Sequence, residues 1–324
     1  MIFKENKGSK QLMCLNAYYI DNYKNANVTM TIKVLQFLKK NLQLLKILLN
    51  LFKYGLPKSL LKIKVLLNRK LYQDCSLIND FGHEKEIKYK GSGKQVNGKV
   101  AVYTSVYGNY DIINEPLYIS DKCDYFAITD QEIASDSVWK KLDCSHINGF
   151  NEMDNYHKAK FCKLFPHKIF PDYEYSIWID GNAQIVADMY PLVDRLIDNH
   201  VMAAFQNPLH NCIYTERNFL IFIDSVNMEE IDKQINDYKN AGFPKHFGMR
   251  EFSIIVRKHN DSKLQNLMDQ WWEQVNKYTM RDQISFPYIL WKNGETIDYI
   301  QMFEGNWRNN PRFLHHMHKW SHKF

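Results

Sequence analysis

The residues best suited to chemistry lie in Ile177-Trp178-Ile179-Asp180-Gly181-Asn182-Ala183-Gln184-Ile185. An apolar run delivers a carboxylate, a small spacer and a second oxygen donor. In an extended chain residues i and i+2 point to one side, so Asp180 and Asn182 can reach one cation if extension persists. Gly181 between them lets the backbone turn and keeps the approach open. Hard divalent ions such as Mn²⁺ or Mg²⁺ take oxygen ligands and readily share a nucleotide diphosphate. The plainer reading of the same residues is a strand end closed by an Asp-Gly turn.

The elements that must position this pair follow from periodicity. Lys99–Ser105 and Asp124–Asp130 are β-rich runs, the first passing into a glycine-containing turn. Tyr173–Asp180 is a third, behind a helix over Asn155–Leu164. Further strands are predicted at Val201–Phe205 and Phe252–Val256, and helices at Tyr190–Asn199, Met228–Ala241 and Ser262–Tyr278. Strands alternating with helices predict an α/β fold, a sheet covered by helices. Ligands of open sheets bind beyond the carboxyl ends of the strands. Thr104 to Asp111, Asp130, and Asp180 to Asn182 all fall at such ends.

The chain's 324 residues are 45% hydrophobic and 24% charged, room for one large domain or two ordinary ones and no profile for a disordered chain. It has no repeat period or low-complexity tract, which argues against a solenoid or fibre. Its purely apolar runs fall far short of the roughly 20 residues that span a bilayer. Six cysteines are scattered without a C-x-x-C pair, too sparse for a disulfide scaffold and wrongly spaced for structural zinc. Reduced thiols and the lack of a signal-peptide pattern predict a cytoplasmic protein, with a peripheral place at the inner face of the cytoplasmic membrane open to it.

The net charge of +6 is unevenly spread: residues 31–72 carry ten Lys or Arg and no Asp or Glu. The remainder holds 32 basic against 36 acidic residues, a pattern that argues against a nucleic-acid binder. From Ile32 to Phe52 the polar residues trace one helical stripe against a broad apolar face, and Gly55 and Pro57 break the helix. A second basic-apolar stretch runs from Lys58 to Tyr72. Such a hairpin either packs its apolar face on the main domain or on a second subunit of a homo-oligomer, or lies in the headgroup layer of an anionic membrane. The predicted organisation is a basic amphipathic helical region at 1–73, a polar linker at 74–97 and an α/β domain at 98–324.

Six motifs in order carry a family resemblance: VAVYTSVYGNYD, KLFPH (163–167), YSIWIDGN (175–182), NPLHNCIYTE (207–216), GMREFSIIVRKHN (248–260) and RDQISFPYILWK (281–292). Together they resemble a glycosyltransferase-like domain family of bacterial and plant mucilage-related proteins, over roughly residues 98–320. Asp180-Gly181-Asn182 is similar to the D-x-D site of GT-A glycosyltransferases, with Asn182 in place of the second Asp. The resemblance implies a GT-A-like (Rossmann-like) mixed sheet and transfer of a sugar from a nucleotide-diphosphate donor, UDP-linked by preference, to a glycan or lipid-linked acceptor in envelope or capsular polysaccharide synthesis. The implied cofactor is Mn²⁺ or Mg²⁺. Asn207-Pro208 and His210 stand where the family commonly has a His-Pro and a downstream Arg.

The same resemblance suggests roles. The tail Phe313–Trp320 is similar to the His…Lys-Pro-Trp ending of bacterial galactosyltransferase-like enzymes, which places His316 and His318 near metal and Lys319 near phosphate. Arg281-Asp282-Gln283 resembles the Asp-Gln pair beside the transferred sugar of retaining enzymes, so Asp282 and Gln283 are the catalytic candidates. Glu251 and Glu304 are lesser carboxylates, available as a base if the reaction inverts. Thr104, Tyr107 and Asp130 are placed to hold base and ribose. Lys160, Lys163 and Arg250 are placed to face phosphate. Trp271, Trp272, Trp291, Trp307 and Trp320 offer sugar-stacking faces, against the plain reading that large aromatics are core. Two rival readings are a nucleotidyltransferase, for which Tyr107-Gly108-Asn109-Tyr110 is a poor phosphate loop, and a non-catalytic glycan-binding protein.

Overall fold

The β-branched and aromatic runs form strands in the computed structural model, which describes residues 6–25, 30–71, 73–75, 83–89, 96–196 and 200–318. In chain order these are β1 (Val100–Val106), β2 (Cys123–Thr129), β3 (Lys140–Lys141), β4 (Ser176–Ile179), β5 (Ala183–Ile185), β6 (Met202–Gln206), β7 (Arg250–Arg257), β8 (Gln301–Phe303) and β9 (Phe313–His315). Seven of them make one sheet of order β3-β2-β1-β4-β7-β6-β8, while β5 and β9 pair apart. β1 lies parallel to β2 and β4, and β7 runs antiparallel to both β4 and β6. The carboxyl ends of β1, β2 and β4 therefore share an edge with the start of β7. This is the mixed α/β sheet flanked by helices that alternating elements predict.

The helices are α1 (Asn6–Asn25), α2 (Met30–Leu49), α3 (Leu51–Tyr54), α4 (Leu56–Leu67), α5 (His83–Lys88), α6 (Asn155–Leu164), α7 (Pro166–Ile169), α8 (Tyr190–Asp194), α9 (Ile213–Phe222), α10 (Met228–Asn240), α11 (Ser262–Lys277) and α12 (Asp282–Lys292). The side chains of Asp154, Asn227 and Asp261 accept first-turn N–H bonds and so start α6, α10 and α11. Periodicity did not mark α9 or α12. α9 has no exposed position to set a polar face against its buried one, and α12 buries residues all round and carries Pro287 in its interior, which reads as a breaker in the sequence. The helix predicted over 190–199 stops at Asp194, and residues 197–199 lie outside the described residues.

Alternate residues of the strands bury into two layers. Tyr103, Trp178, Phe252 and Ile255 face α6 and α11 through Phe161, Leu264 and Trp271. Val102, Ile177, Ile254 and Val256 face the other way, onto Leu192, Trp307 and Phe313. A third cluster joins α9, α10 and α12 through Ile221, Ile235 and Ile284.

Within the stretch read as a linker, α5 is packed against the main domain. Glu86 is buried between Arg312 and Arg195, the latter 2.6 Å away. The polar letters of this stretch hide a buried ion-pair anchor.

Candidate active site

β4 delivers Asp180 and the turn after it to the shared sheet edge. The Ala183 N–H donates to the Asp180 carbonyl at 2.9 Å, so the chain folds back at once instead of staying extended. The i, i+2 argument for Asp180 and Asn182 thus fails locally, yet both residues line one cavity of about 480 Å³. Gly181 is required for space: a Cβ there would stand 2.5 Å from Val106 Cγ2 and 3.6 Å from Asp111 Oδ2. Its φ is not in the left-handed region, so close approach to β1, and no special turn angle, excludes a side chain.

Asp180 accepts the Trp178 indole N–H at 2.7 Å and the Lys163 ammonium at 3.3 Å. Asp282, at the start of α12, is nearly fully buried and takes one lysine on each oxygen, Lys160 at 2.7 Å and Lys163 at 2.6 Å. Burial opposes its charge, but the two ammonium groups hold its pKa far below the usual carboxylate range. Burial also works against Lys163, and Asp180 with Asp282 outweighs it and raises the pKa. For Lys160 burial wins and lowers the pKa. Asp282 therefore fixes two lysines, one on each oxygen, at the cavity wall. Gln283 beside it faces the cavity.

The C-terminal tail reaches the site by pairing. β9 lies antiparallel to β5, and the His316 N–H donates to the Asn182 carbonyl at 2.8 Å. The structure separates the two histidines. His318 lines the cavity, with Nδ1 2.8 Å from Asp111 and Nε2 3.3 Å from the Asn182 amide nitrogen. His316 bonds Gln184 instead and does not line it. The Asp111 hydrogen bond raises the His318 pKa. Among the described residues the Asn182 Oδ1 is a buried acceptor without a hydrogen-bond partner. Lys319 and Trp320 lie outside the described residues.

The remaining predicted residues divide. Tyr107 lines the cavity. Thr104 is buried in β1 and does not. Asp130, itself outside the lining, accepts the Gly108 N–H at 2.9 Å and holds the turn after β1. Arg250 points to Asp298 at 3.2 Å, away from the cavity, because it alternates with Glu251 along β7. Glu251 does line it, salt-bridged to Arg308; burial pushes its pKa up against the pull of that arginine. Glu304 is exposed elsewhere. Trp271 and Trp307 are core, Trp272 and Trp291 pack on it, and Trp178 is the tryptophan that faces the cavity. His210 is buried on Glu216, and the Asn207 side chain accepts from the N–H groups of residues 209 and 210, so that loop is structural.

Sequence reasoning missed Asp111, Arg281 and Arg308 as lining groups. Asp111 sat within the flagged end of β1, and its place at a strand terminus was the available signal. Arg308 had none, because a 3₁₀ turn far along the chain brings it there. Outside the cavity, ligand atoms of Asp74, Cys212 and His246 lie within 4.8 Å of one another. The acids and His318 of the cavity are not drawn into so tight a group.

Residues 83–318 match the model of the TOD1/MUCI70 glycosyltransferase-like domain. The chain belongs to this family. The TOD1/MUCI70 match begins where α5 begins, so the domain includes the buried Glu86 anchor. A curated relative, the "Probable hexosyltransferase MUCI70" of Arabidopsis thaliana, is 26% identical over 223 residues, covering 60% of this chain. The chain spans 38% of that relative's length. Among solved structures, the glycosyltransferase GlyE of Streptococcus pneumoniae TIGR4 gives a TM-score of 0.35 at 13% identity, over 64% of this chain and 45% of its own. Mouse xyloside xylosyltransferase 1 gives 0.36 at 8% identity, over 62% of this chain and 84% of its own.

Proposed function

We propose that this domain is a GT-A-type transferase moving a sugar from a nucleotide-diphosphate donor, a UDP-sugar by preference, to a glycan or lipid-linked acceptor. The observation that carries the reading is the assembly of Asp180, Asn182, Asp111 and His318 around one cavity at the carboxyl edge of the sheet. The residue types fit a divalent cation: two carboxylates, an imidazole and the Asn182 amide oxygen are hard oxygen and nitrogen donors lining one cavity, which a cation would have to draw closer together. Charge supports the same conclusion. The lining holds four Lys or Arg side chains (Lys160, Lys163, Arg281, Arg308) and four Asp or Glu (Asp111, Asp180, Glu251, Asp282). With carboxylates offsetting the lysines and arginines, a cation bound with the nucleotide would supply the positive charge a dianionic diphosphate calls for. A bound Mn²⁺ or Mg²⁺ supplies Lewis-acid stabilisation of the departing diphosphate.

The protein's own groups do the rest. Asp282 orients Lys160 and Lys163 toward the cavity, where an ammonium meets phosphate oxygens without being able to wander. Gln283 is placed for the transferred sugar, and Asp282, with one ammonium on each oxygen, contributes its field there. Retention of the anomeric configuration fits the Asp-Gln pair at this position. Glu251, held protonation-prone by burial, is the carboxyl available for proton transfer if configuration is inverted.

The test is a hydrolysis screen with UDP-, GDP- and CMP-sugars in Mn²⁺, Mg²⁺ or EDTA, beside Asp180→Ala. Metal-dependent release of one nucleoside diphosphate, lost in the variant, is expected. Release of pyrophosphate identifies a nucleotidyltransferase instead. No turnover and no nucleotide-induced thermal shift, with metal-indifferent glycan binding, identifies a binding protein.

A further inference from the structure

The basic N-terminal segment is anchored by one face and open on another. α4 buries Ser59, Lys62 and Val65, and packs on α9. Lys62 donates to Asp224 at 2.6 Å and to the Phe222 carbonyl at 2.8 Å, and Lys58 meets Asp224 at 2.8 Å. The anchor therefore joins these ion pairs to the apolar contacts of Val65 and Leu61. Leu56, Leu60 and Leu67 stay outside it.

On α2, Leu38, Leu42, Leu45 and Leu49 recur at i, i+4, i+7 and i+11 and are each 50–71% exposed. At about 100° per residue they form one narrow stripe, and the buried Ile47 lies on the opposite side. Lys39 and Lys46, both exposed, fall on the flank of that stripe, where a long aliphatic stem can follow the apolar face while its ammonium stays in the headgroups. α4 repeats the arrangement, with Leu56, Leu60 and Leu67 exposed along one side and Lys64 exposed beside them.

We infer that the outer face of α2 and α4 docks on an anionic lipid surface, leucines in the acyl boundary and lysines on the headgroups. Two observations choose this occupant. No Asp or Glu occurs in residues 31–72, so a two-fold contact of this face with a second copy would set lysine against lysine. No described helix is long and apolar enough to cross a membrane, so the face lies on the bilayer and does not span it. The inference stands independently of the reaction assigned to the cavity.

The test is co-sedimentation of the whole chain with vesicles of equal parts phosphatidylserine and phosphatidylcholine, or of phosphatidylcholine alone. The chain is expected to bind the anionic vesicles, to be released by salt, and to leave neutral vesicles largely unbound. Each exposed lysine replaced, as in Lys39→Gln and Lys46→Gln, weakens partition about fivefold. Leu42→Ser, Leu45→Ser and Leu49→Ser together abolish it, with an unchanged thermal melt because the side chains are already in solvent. Absence of binding to anionic vesicles, or binding indifferent to the leucine changes, overturns the inference. A concentration-dependent dimer that the leucine changes dissolve, without vesicle binding, overturns it in favour of a second copy.

Discussion

At the residue scale, the site turns on where charge is replaced. Asn182 lacks the carboxylate that a D-x-D pair would have, and Asp111 stands against Gly181, beside the position where that charge is missing. If Asp111 supplies it from the end of β1, Asp111→Asn weakens Mn²⁺ binding on the order of ten- to hundredfold by isothermal titration. Adding Asn182→Asp to that variant restores it. Unchanged Mn²⁺ affinity in Asp111→Asn would place the cation elsewhere. Asp282 presents a different case, since its partners are the two buried lysines. Asp282→Ala leaves Lys160 without its carboxylate and Lys163 with Asp180 alone, and is expected to cost about 3–5 kcal/mol in urea unfolding. A merely catalytic Asp282 would leave the unfolding midpoint where it was.

At the element scale, the turn after β4 works because β1 presses against it. Gly181→Ala places a methyl group into the Val106 side chain, and overpacking of this kind costs about 1–3 kcal/mol. Val106→Ala in the same chain removes the obstructing methyl groups, so the double variant should recover much of the stability lost to the added Cβ. A double variant no more stable than Gly181→Ala would mean that Asp111, the next neighbour, sets the limit. The β5–β9 pairing has an equal role, because it alone brings His318, 136 residues distant from Asn182, to that side chain.

At the scale of the whole molecule, α5 is fastened by Glu86 to Arg195 and Arg312, groups contributed from well separated parts of the chain. Burial works against the Glu86 charge, but Arg312 and Arg195 outweigh it and hold the pKa below its ordinary value of 4.5. A carboxyl depressed on folding stabilises the protein fully above its unfolded pKa and ceases to do so as pH falls through the folded one. Glu86→Gln is therefore expected to lose about 3–5 kcal/mol near neutral pH, because it strands two arginines. The gap between wild type and variant should close as pH drops below about 4.5. A gap independent of pH would show that packing, and no ion pair, makes the difference.

The sequence by itself determined the α/β class, the main strands and the longer helices, since period-2 and period-3.6 patterns are local and survive without a partner. It also marked Asp180 and Asn182 by their spacing at a strand end, and the Asp282-Gln283 pair through the family resemblance. Tertiary structure decided the rest. His318 was chosen over His316 because β9 ends at His315, so the two histidines, two residues apart, lose the common side a strand would give them: His316 turns to Gln184 and His318 to Asp111. Lys160 and Lys163 became partners of Asp282 instead of solvated charges because α6 and α12 meet in the core. Arg250 and Glu251 exchanged the importance expected of them, as neighbours on β7 must point to opposite sides of the sheet. The leucines of α2 stayed outside because α4, and not α2, carries the segment's packing against α9. Each of these outcomes depends on which elements come to lie side by side, and contacts between residues more than a hundred positions apart leave no trace in any local window of letters.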